Sequence, residues 1–389
     1  MRIAIVGTEL CAVDQQGGGL EQVLRRWARA LAVRHEIVVV SYRLGPQPSP
    51  SDEPFETVGV DRPADLASVL GALAPDAVSL HNRPQWISQC PRGSVTGVTF
   101  HNYPIAWKVA ARQAAGTRRV AAHEVALSAV SGALAGAAAG WLAAPAGSVA
   151  VTPPSIDPAY LTPRPWHPKR VVLSPNRLLR KKGVLDLLEV AGRCEFRDVT
   201  FAVADLISPW RHPTGEHLAL RAAVRAVPNA ELFAPTTDAS ELAERYVESA
   251  AVTCPVREPE GLGLVALEAQ ACGVPLVTTD LGGLREATFW PNACVAPGDL
   301  DALAAALYAA VDPDQGGAAA TTGGATPGAT DPTAQDPAAP IDPARSDPSS
   351  GPGHSSPRDA VLARHSPEAS ASAFERWLLG ESGREAGRP

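Results

Sequence analysis

What this chain has little of narrows its class before any motif is read. Charged residues make up 19% and aromatics 5% of 389 residues, and Lys+Arg (34) fall short of Asp+Glu (41), leaving a net charge of −7. A phosphate backbone calls for a basic surface, so this balance argues against nucleic acid as a partner. The six cysteines (Cys11, Cys90, Cys194, Cys254, Cys272, Cys294) form no C-x-x-C pair. Such spacing suits neither a disulfide framework nor a zinc site, and fits a reducing, cytoplasmic setting. Long apolar runs are missing as well. The opening Met1–Val6 is too short for the apolar stretch of a signal peptide. Gly132–Val151 is mostly Ala and Gly and is interrupted by Pro145, so it reads as a packed helix with no integral membrane association.

What is present is a 45% hydrophobic chain, enough for sizeable cores, whose short β-branched runs alternate with helical stretches. That alternation is the pattern of parallel sheets wrapped by helices. Strands are expected at 3–6, 37–41, 77–80, 95–100, 125–130 and 148–152, then at 170–174, 199–204, 230–233, 251–256, 275–279 and 293–296. Prolines crowd the stretch from Pro153 to Pro168 and can continue neither series, which marks a domain boundary. The fold class is therefore α/β, with two doubly wound Rossmann-like domains, 1–165 and 166–312, facing a cleft. Residues 313–357 are Ala, Gly, Thr, Pro, Asp and Ser with almost no large apolar side chain, a composition that predicts a disordered linker. Beyond it, 358–380 reads as one amphipathic helix returning to the folded body through Phe374, Trp377 and Leu378.

The most informative segment runs from Glu258 to Val277. It places a Gly-rich turn after a strand, then a helix, then another buried strand. Glycines there let backbone N–H groups approach an anion at a helix N-terminus. Glu260 and Glu268 are separated by about 12 Å at 1.5 Å per helical residue, and could grip opposite ends of one extended ligand. A capped surface helix with two solvated glutamates is the plainer alternative. Gly261-Leu-Gly263-Leu-Val-Ala266 also spells a dinucleotide fingerprint, with Asp280 where a ribose-binding acid would stand. Against it, Arg257 to Glu260 intervene between strand and first glycine, and the motif follows the fourth strand of its domain. Two D-x-D strings invite a metal. Asp299-Leu-Asp301 opens a helix, where acids cap N–H groups, and Asp312-Pro-Asp314 falls at the linker. His123-Glu124 lacks the second histidine of a metalloprotease helix, Leu127 standing in its place. Neither a metal nor a cofactor is expected.

Glu260, seven residues, Glu268 and then Ala-Gln-Ala-Cys-Gly-Val-Pro-Leu-Val resembles the signature of glycosyltransferase family 4. Ser174-Pro-Asn-Arg177-Leu-Leu-Arg-Lys-Lys182-Gly183 resembles that family's G-R-L-x-x-x-K-G turn, with Asn176 in place of the usual glycine. Gly18-Gly19-Leu-Glu21 is similar to its G-G-x-E helix opening, and Gly282-Gly283-Leu-Arg-Glu286 to its G-G-x-x-E loop. The resemblance spans residues 1–312 and the final helix. It implies a GT-B fold and retaining, metal-independent transfer from a nucleoside-diphosphate sugar, with UDP the expected nucleotide. It further implies that Glu268 binds the ribose hydroxyls and that Glu260 faces the transferred sugar. The amides of Gly263, Leu264 and Val265 would touch phosphate or sugar, and Arg177 with Lys182 would clamp the diphosphate. Gly18 and Gly19 would face the phosphates, and His101, at a strand end, would reach the donor sugar. Glu260, His101 and Lys182 are thus the expected catalytic groups. His81 and Asn82 are candidates for lining the acceptor side, and Glu286 for the nucleotide pocket. The chain is also similar to enzymes that glycosylate aminocyclitol antibiotics, which implies a small hydroxyl acceptor. A cell-wall or lipid acceptor, or a non-catalytic nucleotide-sugar-binding protein, stays open.

Overall fold

The computed structural model describes residues 1–7, 18–42, 53–103, 125–206, 214–236, 238–290, 294–312 and 356–380. The expected linker, but for its last two residues, lies outside them. The chain divides into two units, one of Met1–Asp157 with Arg364–Pro389 and one of Pro158–Ala363.

Among the described residues the first unit holds seven strands: β1 (Arg2–Val6), β2 (Glu36–Tyr42), β3 (Glu56–Val60), β4 (Ala77–His81), β5 (Val95–Phe100), β6 (Val125–Ala129) and β7 (Ala150–Val151). They form one sheet in the order β3-β2-β1-β4-β5-β6-β7, every pair parallel. Helices cover both faces of such a sheet, so its central strands are continuously apolar; Ile3, Ala4 and Ile5 are all fully buried. Strand β3 was not expected from the sequence. Glu56 and Gly59 interrupt its apolar run, and as an edge strand pairing with β2 it needs only half-burial. Helices α1 (Gly19–Leu31), α2 (Leu66–Leu73) and α3 (Gly132–Leu142) belong here. The last is the Ala-rich stretch, packed as expected; Ser131 Oγ caps it by accepting from Leu134 N at 3.2 Å.

The second unit holds β8 (Lys169–Ser174), β9 (Thr200–Ala204), β10 (Ala230–Phe233), β11 (Ser249–Cys254), β12 (Leu276–Thr279) and β13 (Cys294–Val295). Their order is β10-β9-β8-β11-β12-β13, again all parallel. Helices α4 (Pro158–Leu161), α5 (Val184–Ala191), α6 (Gly215–Ala226), α7 (Ala239–Val247), α8 (Leu264–Ala271), α9 (Leu284–Ala287) and α10 (Leu300–Val311) flank it. Asp299 of the first D-x-D string caps α10, its Oδ1 accepting from Ala302 N at 2.9 Å. The two doubly wound parallel-sheet units expected from the strand pattern are therefore present.

The C-terminal region corrects the expectation of one helix. It forms two, α11 (Pro357–His365) and α12 (Pro367–Leu378), because Pro367 can begin a helix but cannot continue one. The guanidinium of Arg358 on α11 donates to the carbonyls of Ala271 and Leu161 in the second unit. In the first unit, Trp377 of α12 donates to Leu127 O at 3.2 Å, and its ring fills the space a Cβ on Gly97 would take. Among the described residues no helix is long and apolar enough to cross a membrane.

Candidate functional site

In an open parallel sheet, ligands bind beyond the carboxyl ends of the strands where the winding direction reverses. In the second unit that point lies between β8 and β11, and the turns leaving these two strands carry most of the residues singled out above. After β8 the chain turns through Asn176, whose buried Nδ2 donates to Thr253 O at 3.0 Å and so ties β8 to β11. Asn176 is not among the non-glycine residues with positive φ, so the departure from glycine leaves the backbone unstrained. Leu178 N donates to Leu206 O at 2.8 Å, holding the turn against the exit of β9. Arg177, one residue earlier, is exposed, and its guanidinium has no partner among the described residues.

The turn closes through Arg180–Lys182 onto Gly183, with φ 73°. A Cβ there would lie 1.7 Å from Pro255 O, backbone against backbone. Gly183→Ala combines this clash with a left-handed conformation, and should destabilise the protein by about 3 kcal/mol or more. Urea unfolding measures it; an unshifted midpoint would mean that the turn relaxes freely and does not fix Lys182.

After β11 the chain runs through Pro255 to Gly263. Gly283 N donates to Glu260 O at 2.8 Å, and Glu260 pairs with Gly282 in a parallel bridge. These contacts fix the backbone of Glu260. Its Oε1 lies 2.6 Å from Lys182 Nζ, both side chains being largely shielded from water. Helix α8 then opens on Gly263, φ 100°, with no side-chain cap, so the amides of Leu264 and Val265 lie at its positive end. Glu268, on the same helix, is buried and accepts from Tyr246 Oη of α7 at 2.9 Å. Burial, and then the neighbouring Glu268 carboxylate, hold the Tyr246 phenol well above its ordinary pKa, so it stays a donor. Burial pushes the Cys254 thiol, last residue of β11, up to about 12, and Lys182, Glu260 and Glu268 all act on it electrostatically. Lys182, Glu260 and Glu268, three of the four expected charged residues, therefore gather around the end of one strand. Glu286 is exposed on α9. Asp280, the acid a dinucleotide site would need, is paired with Arg285 at 2.7 Å.

In the first unit, Gly18 is the residue preceding α1 and Gly19 its first. Asn82, φ 57°, follows β4; its N donates to Thr99 O at 2.9 Å and its Oδ1 accepts from His101 N at 2.7 Å. His81 corrects the expectation that it lines an acceptor. It is 0% exposed, and both ring nitrogens are engaged, Nε2 with Ser79 Oγ at 3.2 Å and Nδ1 with His101 Nε2 at 2.9 Å. His101 is 7% exposed. Burial lowers the pKa of His101 to about 3 and that of His81 well below the usual range, so both rings are neutral at pH 7. Tyr246 and Ser79 were missed by sequence reasoning. Both sit at positions facing a core, and no motif marks them.

Residues 164–313 match the family described as Glycosyl transferases group 1. A D-inositol 3-phosphate glycosyltransferase of Kineococcus radiotolerans is 30% identical over 173 residues, 39% of this chain and 38% of the relative. The protein of that name from Frankia alni is 51% identical over 55 residues, 14% of this chain and 13% of the relative. The chain thus aligns with well under half the length of these curated relatives. Among solved structures, sucrose-phosphate synthase from Thermosynechococcus elongatus superposes with a TM-score of 0.71 at 18% identity, covering 99% of this chain and 100% of that one. Anabaena HepE in complex with UDP and glucose gives 0.70 at 16%, covering 98% and 100%. Both share the fold.

Proposed function

We propose that this chain, whose residues 164–313 carry a Glycosyl transferases group 1 domain within a GT-B fold, moves a hexosyl or aminohexosyl group from a nucleoside-diphosphate sugar to a small-molecule hydroxyl. The observation that carries the reading is the gathering of Lys182, Glu260 and Glu268 at the β8–β11 switch point, beside the uncapped start of α8. In this reading Glu268 accepts from the ribose hydroxyls. Arg177, Lys182 and the amides of Gly263, Leu264 and Val265 hold the diphosphate, and Glu260 orients the sugar. Gly18, Gly19 and His101 are also proposed as donor-binding residues.

UDP is the proposed nucleotide, since HepE was solved with UDP and glucose. Transfer is proposed to retain configuration, the acceptor hydroxyl attacking from the face the diphosphate leaves. The acceptor is proposed to be a cyclitol or a cyclitol-containing compound such as an aminocyclitol pseudodisaccharide, because the curated relatives are named D-inositol 3-phosphate glycosyltransferases. A mass-spectrometric screen of nucleotide sugars against inositol phosphates, aminocyclitols and lipid acceptors tests this. Products confined to lipid acceptors would overturn the cyclitol assignment, and no product with any pair would overturn the transferase.

The cations at the β8 turn also set an expectation for metals. Arg177 and Lys182 supply positive charge where the leaving diphosphate accumulates negative charge. Turnover should therefore persist in excess EDTA. Activity lost to EDTA and restored by magnesium or manganese would show that the two cations are insufficient.

A further inference from the structure

We infer that Ser79 and His81 fix the tautomer of His101, so that His101 presents a hydrogen-bond donor, Nδ1–H, to its ligand. The inference follows from counting protons along a buried chain. Ser79 and His81 are both fully buried, on the same side of β4 because side chains two apart share a face. The hydroxyl of Ser79 has one partner among the described residues, His81 Nε2 at 3.2 Å. If that nitrogen carried the proton, the hydroxyl would accept and its own hydrogen would be left in the core without an acceptor, a costly arrangement. The hydroxyl therefore donates, and His81 holds its proton on Nδ1. That proton is donated to His101 Nε2 at 2.9 Å. With Nε2 accepting, neutral His101 carries its hydrogen on Nδ1, the ring nitrogen with no partner among the described residues. A neutral ring held this way gives a hydrogen bond and is not a base through that atom.

The surroundings keep the chain dry and leave it no competing partner. Trp27 packs at 5.9 Å from His81 and 5.7 Å from His101, centroid to centroid, and Phe374 of α12 stacks over Trp27 at 4.4 Å and over His81 at 6.1 Å. The indole N–H of Trp27 is taken by Ser370 Oγ at 2.6 Å, which in turn donates to Pro153 O at 2.6 Å. Helix α12 thus covers the His81 end of the pair. Ser79 and His81 are positioning residues, acting through His101.

That the donated hydrogen meets the transferred sugar rests on the function proposed above, whereas the tautomer does not, and the experiment separates the two. The full chain is labelled with ¹⁵N-histidine, and long-range ¹⁵N–¹H spectra are recorded at pH 7, with His101→Asn to assign the ring. His101 and His81 should both be neutral and protonated at Nδ1. An Nε2-protonated or cationic His101 would overturn the inference. Ser79→Ala, a mild change, should turn the His101 signal into a mixture of tautomers; an unaltered signal would also overturn it. With UDP-glucose as probe and UDP release as readout, Ser79→Ala should lower kcat about tenfold while KM moves within about twofold. A changed tautomer with unchanged turnover would uphold the relay and overturn the sugar contact.

Discussion

Lys182→Ala lowers kcat by about 10²–10³-fold, and raises donor KM far less, if Lys182 neutralises the leaving diphosphate. Ground-state donor already carries the diphosphate charge, so the ammonium contributes some binding before reaction. As the glycosidic bond breaks, further negative charge collects on the leaving phosphate, and a fixed cation gains interaction only in that state. The structure adds a second consequence. Lys182 Nζ sits 2.6 Å from Glu260 Oε1, so removing it leaves a shielded carboxylate unpaired, which on the proposed reading would face the incoming diphosphate. That repulsion acts in ground and transition states alike, and accounts for the smaller rise in KM. Lys182→Arg should not restore activity fully, because a planar fork presents different geometry from a compact ammonium. Steady-state kinetics of the folded variants decide the matter. A raised KM with normal kcat would make Lys182 a docking residue instead.

The sequence reveals those features of fold and site that are local, and conceals those that depend on packing between distant segments. Parallel strands covered on both faces must be apolar throughout, so runs such as Ile37–Val40 and Ala251–Cys254 declare themselves. β3 does not, because an edge strand can carry Glu56 and Gly59. The break between α11 and α12 was legible after all: Ser366 caps the second helix by accepting from Ala369 N at 3.3 Å, and Pro367 follows at its first position. At the site, chain spacing selects Glu260 and Glu268 from among neighbouring acids. It does not reveal that Lys182 reaches Glu260, since that contact depends on Gly183 bringing one turn against Pro255. His81 misleads for a related reason. A histidine at a strand end suggests a ligand, but the face it occupies is sealed by a helix from near the far end of the chain. Burial of that kind has no signature around residue 81.

Glu268→Ala should weaken binding of UDP by about 10- to 150-fold, the equivalent of roughly 1.5–3 kcal/mol for a charge-assisted hydrogen bond. Glu268 is 6% exposed, and a buried polar group needs hydrogen bonds to offset its desolvation. Tyr246 Oη supplies one of these to Oε2 at 2.9 Å and fixes the plane of the carboxylate before nucleotide arrives. Ribose, with adjacent hydroxyls, would donate to a group already in place, so little side-chain entropy would be lost on binding. Tyr246→Phe should therefore weaken UDP too, but by less, about 1 kcal/mol, because the carboxylate remains and only its orientation loosens. Glu268→Ala also leaves the buried Tyr246 hydroxyl without an acceptor, and should lower stability by about 1–3 kcal/mol. Affinity must then be read well below the melting temperature of the variant. Titration calorimetry with UDP gives both numbers. If folded Glu268→Ala binds UDP as tightly as the parent chain, the ribose assignment is wrong and the Tyr246–Glu268 pair belongs to the core of the second unit.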